Sequence, residues 1–264
     1  MKRVKRFFSS NFTQSLLWLL LFLIVWESVS RSGLVKPYIL PPFSTVIMTL
    51  VDELVHGKLG VQIVNSLYVI LQGIAFSFLI SFIISLLSTW IKPLERLFSV
   101  LCTVFNPLPA IALMPLIILW FGVSNGAMIA IIIHSTLWAF LTHILDGFKS
   151  IPVIYREWGK NIGLKPWRMI IDIYLYSIMP SLIAGIRIGW GRAWRALIGA
   201  EMVFGMIGNF GGLGYYINTN RAYANMSRVM SAVIVIIIIG ITIESVLFRQ
   251  LEKHTVIKWG MAHE

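Results

Sequence analysis

The sequence predicts an all-α integral membrane protein of six transmembrane helices, a single transmembrane domain over residues 1–264 with both termini in the cytoplasm. Three observations carry that expectation. Hydrophobic residues make up 58% of the chain and charged residues 12%, with a mean hydropathy of +0.83, far from the balance of a water-soluble domain. Several apolar runs are long enough to cross a hydrocarbon layer of about 30 Å as helix. They are continuous rather than alternating, which argues against the strands of a membrane barrel. Finally, the basic residues fall mainly on one side of the topology those runs define.

Taken in order, Lys2, Arg3, Lys5 and Arg6 precede an apolar segment from about Leu16 to Trp26. This could open a secretory signal, but Ser28-x-Ser30 is a weak cleavage site and further spans follow, so an uncleaved first span at about 13–30 is expected. Pro37, Pro41 and Pro42 then interrupt the chain before 44–55. There Val46, Ile47, Leu50, Val51 and Leu54 recur at helical spacing, with Asp52 and Glu53 off the stripe. Too short and too charged to cross, this piece is expected as an interfacial helix on the outer face.

Further spans are expected at about 61–90, 97–121, 127–147, 178–204 and 229–248. Pro107, Pro109 and Pro115 lie in the third of these. Proline removes a backbone donor, and the carbonyl it frees needs a neighbouring helix or water; such kinks border pathways or serve packing alone. On this topology Lys2, Arg3, Lys5, Arg6, Lys92, Arg96, Lys149, Arg156, Lys160, Lys165, Arg168, Arg249, Lys253 and Lys258 are inside. Only Arg31, Lys36, Lys58, Arg221 and Arg228 are outside. The bias supports six spans with both ends cytoplasmic. It also accounts for the net charge of +11 without a nucleic-acid partner.

The inner loop 149–171 holds the longest polar interruption, Glu157-Trp158-Gly159-Lys160-Asn161-Ile162-Gly163, with Ile173, Leu175 and Pro180 beyond it. Tyr155 to Ile162 can form two helical turns. Gly163 permits the left-handed conformation that ends them, and Pro166 suits the first turn of a following helix. The result is a short helix on the membrane surface, offering Glu157 to a basic partner.

Glu157, Gly163, Ile173 and Leu175 fall on the E-A-A-x-x-x-G-x9-I-x-L-P spacing, and the loop thereby resembles the cytoplasmic loop of ABC importer permeases. Trp158 and Gly159 replace the two alanines and Tyr176 replaces the proline. Pro180 to Arg187, Gly191-Arg192-Ala193-Trp194 and Ala200-Glu201-Met202 look like the fifth span of the nitrate, sulfonate and taurine branch. Leu40-Pro41 and Asn106-Pro107-Leu108-Pro109 extend the resemblance over nearly the whole chain.

The resemblance implies the type I importer permease fold in a bacterial inner membrane. It also implies coupling to two cytoplasmic ATPase subunits through Glu157, Trp158, Gly159 and Gly163, pairing with a second copy of the permease, and an external substrate-binding protein. No Gly-x4-Gly-Lys-Ser/Thr loop occurs, so no cofactor is expected in this chain, ATP and Mg being held by the ATPases. The solute expected is small and anionic, such as a sulfonate, taurine or nitrate. A small heterocycle such as a pyrimidine precursor is the alternative.

Arg187, Arg192, Arg195 and Glu201 lie within the fifth span, where each is costly to leave facing lipid. At about 100° per residue they share one half of the helix, while Gly185 and Gly189 form a small face for a close neighbour. These four are the candidate pathway-lining residues. Arg187 and Arg192 stand where the resembled family often carries arginine, so pairing with helix ends or Glu201 is open for them; Arg195 is the best candidate for attracting an anion. His134 and His143 lie on opposite sides of the fourth span and cannot share a metal. Cys102 reads as a buried small hydrophobe, and no catalytic residue or metal site is expected. An ion-coupled secondary transporter is the rival class, but it would need more intramembrane carboxylates than Glu201, Glu27 and Glu244.

Overall fold

The structure, a computed structural model, describes residues 11–257 apart from Asn209; Lys2, Arg3, Lys5, Arg6 and Lys258 lie outside the described residues. Ten principal helices follow in order: α1 (Asn11–Arg31), α2 (Phe43–Val55), α3 (Leu59–Ser88), α4 (Lys92–Phe105), α5 (Met114–Phe121), α6 (Asn125–Ser150), α7 (Val153–Asn161), α8 (Leu175–Phe204), α9 (Leu213–Ala222) and α10 (Met226–Thr242). A helical turn at Pro166–Arg168 and a π-helical turn at Met169–Tyr174 lead into α8, and π-helical turns at Ile243–Phe248 and Lys253–Ile257 extend α10. Among the described residues, five helices are long and apolar enough to cross a membrane, or six if one bent pair counts as a span.

That pair is α4 with the segment Ala110–Phe121, bent by 92°. A third span was expected at 97–121. The chain instead starts a helix at Lys92, leaves it at Asn106 and re-enters through a 3₁₀ turn at Ala110–Leu113. Pro107 and Pro109 have no backbone N–H to give, so the i→i−4 ladder cannot run on past Asn106, whose own N–H makes the last such bond to the Cys102 carbonyl. Pro115, by contrast, sits at the start of α5, where a missing donor costs nothing.

The backbone divides into two compact units, Met1–Val61 with Tyr216–Val235, and Gln62–Tyr215 with Ile236–Glu264. In the first, Trp26 Nε1 donates to the Pro41 carbonyl (3.0 Å) and Ser30 Oγ to that of Leu40 (2.7 Å). Glu27 accepts from the Ser44 backbone N–H and hydroxyl, satisfying a free donor at the start of α2 that Pro42 has no side chain to cap. The buried face of α2 is Val46, Leu50 and Glu53. This differs from the apolar stripe that the spacing suggested, since Val51 and Leu54 are exposed. Glu53 is tolerated inside because Arg228 pairs with it at 2.6 Å. Burial, and secondarily Glu53, push the Tyr216 phenol above its ordinary range.

In the second unit α6 and α8 pack around Phe140, Ile144, Phe148, Ile151, Ile178 and Leu182, with Phe78 and Phe82 of α3 against them. The helices approach closely because Gly189 lies against the Phe140 ring and Gly185 against His143, leaving no room for larger residues. Between α3 and α6, Thr136 donates to Ser77 (2.7 Å) and Ser81 to the Leu137 carbonyl (3.2 Å).

Candidate functional site

The break after α4 opens two adjoining cavities in the second unit. The larger, about 480 Å³, is lined by polar groups of α4, α6 and α8, among them Thr103, Asn106, Asp146, Lys149 and Arg192. The smaller, about 280 Å³, holds His134, Trp138, Arg192 and Arg195. Asn106, Pro107 and Arg192 belong to both, and Arg192 Nη1 donates to Asn106 Oδ1 at 2.5 Å.

Phe105 and Trp138 stack at 4.8 Å, with His134 edge-on to both. Trp138 Nε1 and both His134 ring nitrogens are buried without a hydrogen-bond partner, an arrangement that needs explaining where burial is costly. Arg195 is exposed on a spanning helix and has no carboxylate partner among the described residues. The chemistry converging here is two guanidiniums, an indole N–H and an imidazole. That set can hold an oxygen-rich, negatively charged group.

A second site is α7. Its outward face presents Ile154, Tyr155, Trp158 and Ile162, all about half exposed or more, beside Glu157, which is also exposed. The inward face is Gly159, against which Met169 and Ile173 pack so tightly that a Cβ would stand 2.6 Å from each. Arg156 ties the helix down, donating to the Phe148 carbonyl (2.8 Å) and lying over the Tyr174 ring. The C-terminus closes as a Schellman motif: Leu164 N–H bonds the Gly159 carbonyl and Gly163 N–H that of Lys160, both at 3.0 Å, with Gly163 at φ +72°.

Residues 90–256 match the profile of the binding-protein-dependent transport system inner membrane component, a stretch that covers well over half of the chain and both sites. The chain belongs to this family. It is a multi-pass inner-membrane permease of an ABC importer, and its systems include ATPase and substrate-binding partners. The chain is 24% identical over 240 residues to a putative aliphatic sulfonates transport permease of Bacillus subtilis, covering 91% of this chain and 85% of that one. It is 28% identical to a formylaminopyrimidine transport permease of Halalkalibacterium halodurans (85% and 88% covered) and 22% identical to the taurine transport permease of Escherichia coli (89% and 86%).

The four charges of the permease's fifth span, which a helical wheel placed on one half, do not converge. Arg192 and Arg195 line the cavities. Arg187 instead pairs with Glu244 (2.5 Å) and Glu252 (2.9 Å). Glu201 is 2% exposed; it accepts from Ser66 Oγ (2.7 and 2.9 Å) and the Gly214 N–H (2.8 Å) and packs on Gly212. Its role is to hold the start of α9. Glu157, Trp158, Gly159 and Gly163 do lie together, divided between the two faces and the cap of α7. Sequence reasoning took His134 only as a core or cavity histidine and did not place Asn106 or Trp138 at a cavity. The signal was present in Asn106-Pro107-Leu108-Pro109, a run that cannot continue a helix.

Proposed function

We propose that this permease moves a small oxyanion along a path past Arg192 and Arg195, driven by ATP hydrolysis on a separate ATPase that docks on α7. The observation that carries this reading is α7 itself. A nine-residue helix with apolar side chains facing out and a glycine facing in is built to be gripped by a partner and to pass its displacement to α8 through Met169 and Ile173. Glu157 offers a charge to a basic group of that partner, and Trp158 fills a pocket in it. ATP and Mg are held by the ATPases, and the termini and α7 face the cytoplasm.

Two copies of the permease form the path. An unpaired Arg195 on a spanning helix is costly against lipid, and facing a second copy and a water-filled path removes that cost. The B. subtilis and E. coli relatives support sulfonates or taurine as the solute class, and two guanidiniums suit a sulfonate's oxygens. A second reading, a small heterocycle, draws on the H. halodurans relative and on the stacked Phe105 and Trp138.

Reconstitution in liposomes with its ATPase and binding-protein partners tests the proposal. ATP-dependent uptake of an alkanesulfonate or taurine, lost on Arg192→Gln, is expected. Uptake driven by an ion gradient without ATP would overturn it, and uptake of a formylaminopyrimidine alone would select the second reading.

A further inference from the structure

A third cavity, about 220 Å³, lies at the junction of α3 and α4 with the end of α6 and the start of α7; it shares Lys149 with the larger of the two cavities above and Arg156 with α7, but neither the proposed solute path nor the exposed face of α7 accounts for its other groups. Ser85, Ser88, Lys92, Glu95, Lys149 and Arg156 contribute to its walls. Three cations from three helical elements therefore meet one carboxylate, and that carboxylate is already engaged by Lys149 at 3.3 Å. Lys92 and Arg156 have no carboxylate partner among the described residues.

Two further observations fit an anion site. Ser88 and Thr89 return their hydroxyls to the carbonyls of Ile84 and Leu86, as helical serines and threonines commonly do. Ser85, fully buried on the same wall, does not, and its Oγ has no partner; nor has Arg156 Nε. Lys92 is moreover the first residue of α4, at the positive end of the helix, where a cation is disfavoured and an anion favoured.

We propose that this cavity binds a phosphate group. Beside it in the chain stand Leu87, Trp90 and Ile91, all exposed, at the end of a spanning helix, the setting in which aromatic residues mark the membrane–water boundary. An anionic phospholipid is therefore the favoured source: its headgroup enters between the basic residues, as in other basic interhelical pockets, and its chains lie along α3. Free phosphate shares the same chemistry. A bound headgroup would fasten Arg156, and with it α7, to the α3–α4 junction, so that lipid composition sets how readily α7 moves. This consequence rests on α7 being the ATPase lever, whereas the binding site does not.

The test is native mass spectrometry of the purified full chain titrated with phosphatidylglycerol, phosphatidylethanolamine or inorganic phosphate. Retention of phosphatidylglycerol over phosphatidylethanolamine, weakened about tenfold by Lys92→Gln and several-fold by Ser85→Ala, is expected. Ser85→Ala removes only an unpartnered hydroxyl and should leave thermal stability intact. Phosphate binding with the same dependence on Lys92 and Ser85, and no lipid retention, would support the site with a soluble anion as its occupant. Retention that ignores both substitutions, or no binding of any probe, overturns the proposal. ATP-driven uptake equal in vesicles with and without phosphatidylglycerol, despite substitution-sensitive binding, would overturn the regulatory consequence alone.

Discussion

Gly163→Val probes the cap of α7 with little else disturbed. Nothing lies within 4 Å of where a side chain at 163 would begin, so no steric clash enters. The cost is backbone conformation. Gly163 sits at φ +72°, and an ordinary L-residue held in the left-handed region loses about 1–2 kcal/mol, a β-branched one being among the least tolerant. For a nine-residue helix, well below the length that is stable alone, that is a large share of local stability. It should raise the population with the cap open roughly 5- to 30-fold. Hydrogen exchange read by mass spectrometry across residues 154–164 should speed up by that factor, and ATP-driven uptake should fall with it while the protein still inserts. Gly163→Asn, a side chain that tolerates this conformation, should fall between. Unchanged exchange and uptake in the valine variant would refute the reasoning.

Three other substitutions test separate parts of the account. Gly189→Leu drives a side chain into Phe140 where α6 and α8 touch, and overpacking of about 1–3 kcal/mol or more should lower thermal stability in detergent by several degrees. Glu201→Ala leaves the buried Ser66 hydroxyl and Gly214 N–H without their acceptor, at about 1–3 kcal/mol each; Glu201→Gln, which keeps a carbonyl oxygen, should lose less in the same melt. Arg195→Leu should weaken apparent affinity for an anionic solute about tenfold or more in liposome uptake, and unchanged kinetics would leave Arg195 structural.

The fold class and family were legible because apolar runs of spanning length and the Glu157–Gly163 spacing are local properties of the chain. What was not legible depends on which neighbour a face meets. The wheel placed Arg187 with Arg192, yet Arg187 finds carboxylates 57 and 65 residues away, a pairing no periodicity reports. Glu53 stood off an apolar stripe and is nonetheless buried, because Arg228 reaches it. At Trp158 and Gly159, where the family prefers two alanines, the two substitutions fall on opposite faces of α7. The tryptophan adds bulk to the exposed side, and the glycine removes it where Met169 and Ile173 press in.

The central claim is that an ATPase grips the exposed face of α7. Cys102 is the only cysteine of the chain and is buried, so Trp158→Cys supplies a single accessible thiol for a thiol-to-amine cross-linker in membranes that hold the assembled transporter. The account predicts a covalent adduct with the ATPase subunit whose yield differs between nucleotide-free and ATP-bound states. No such adduct from Trp158→Cys, with one formed instead from Tyr223→Cys, a highly exposed position beyond α9, would contradict it.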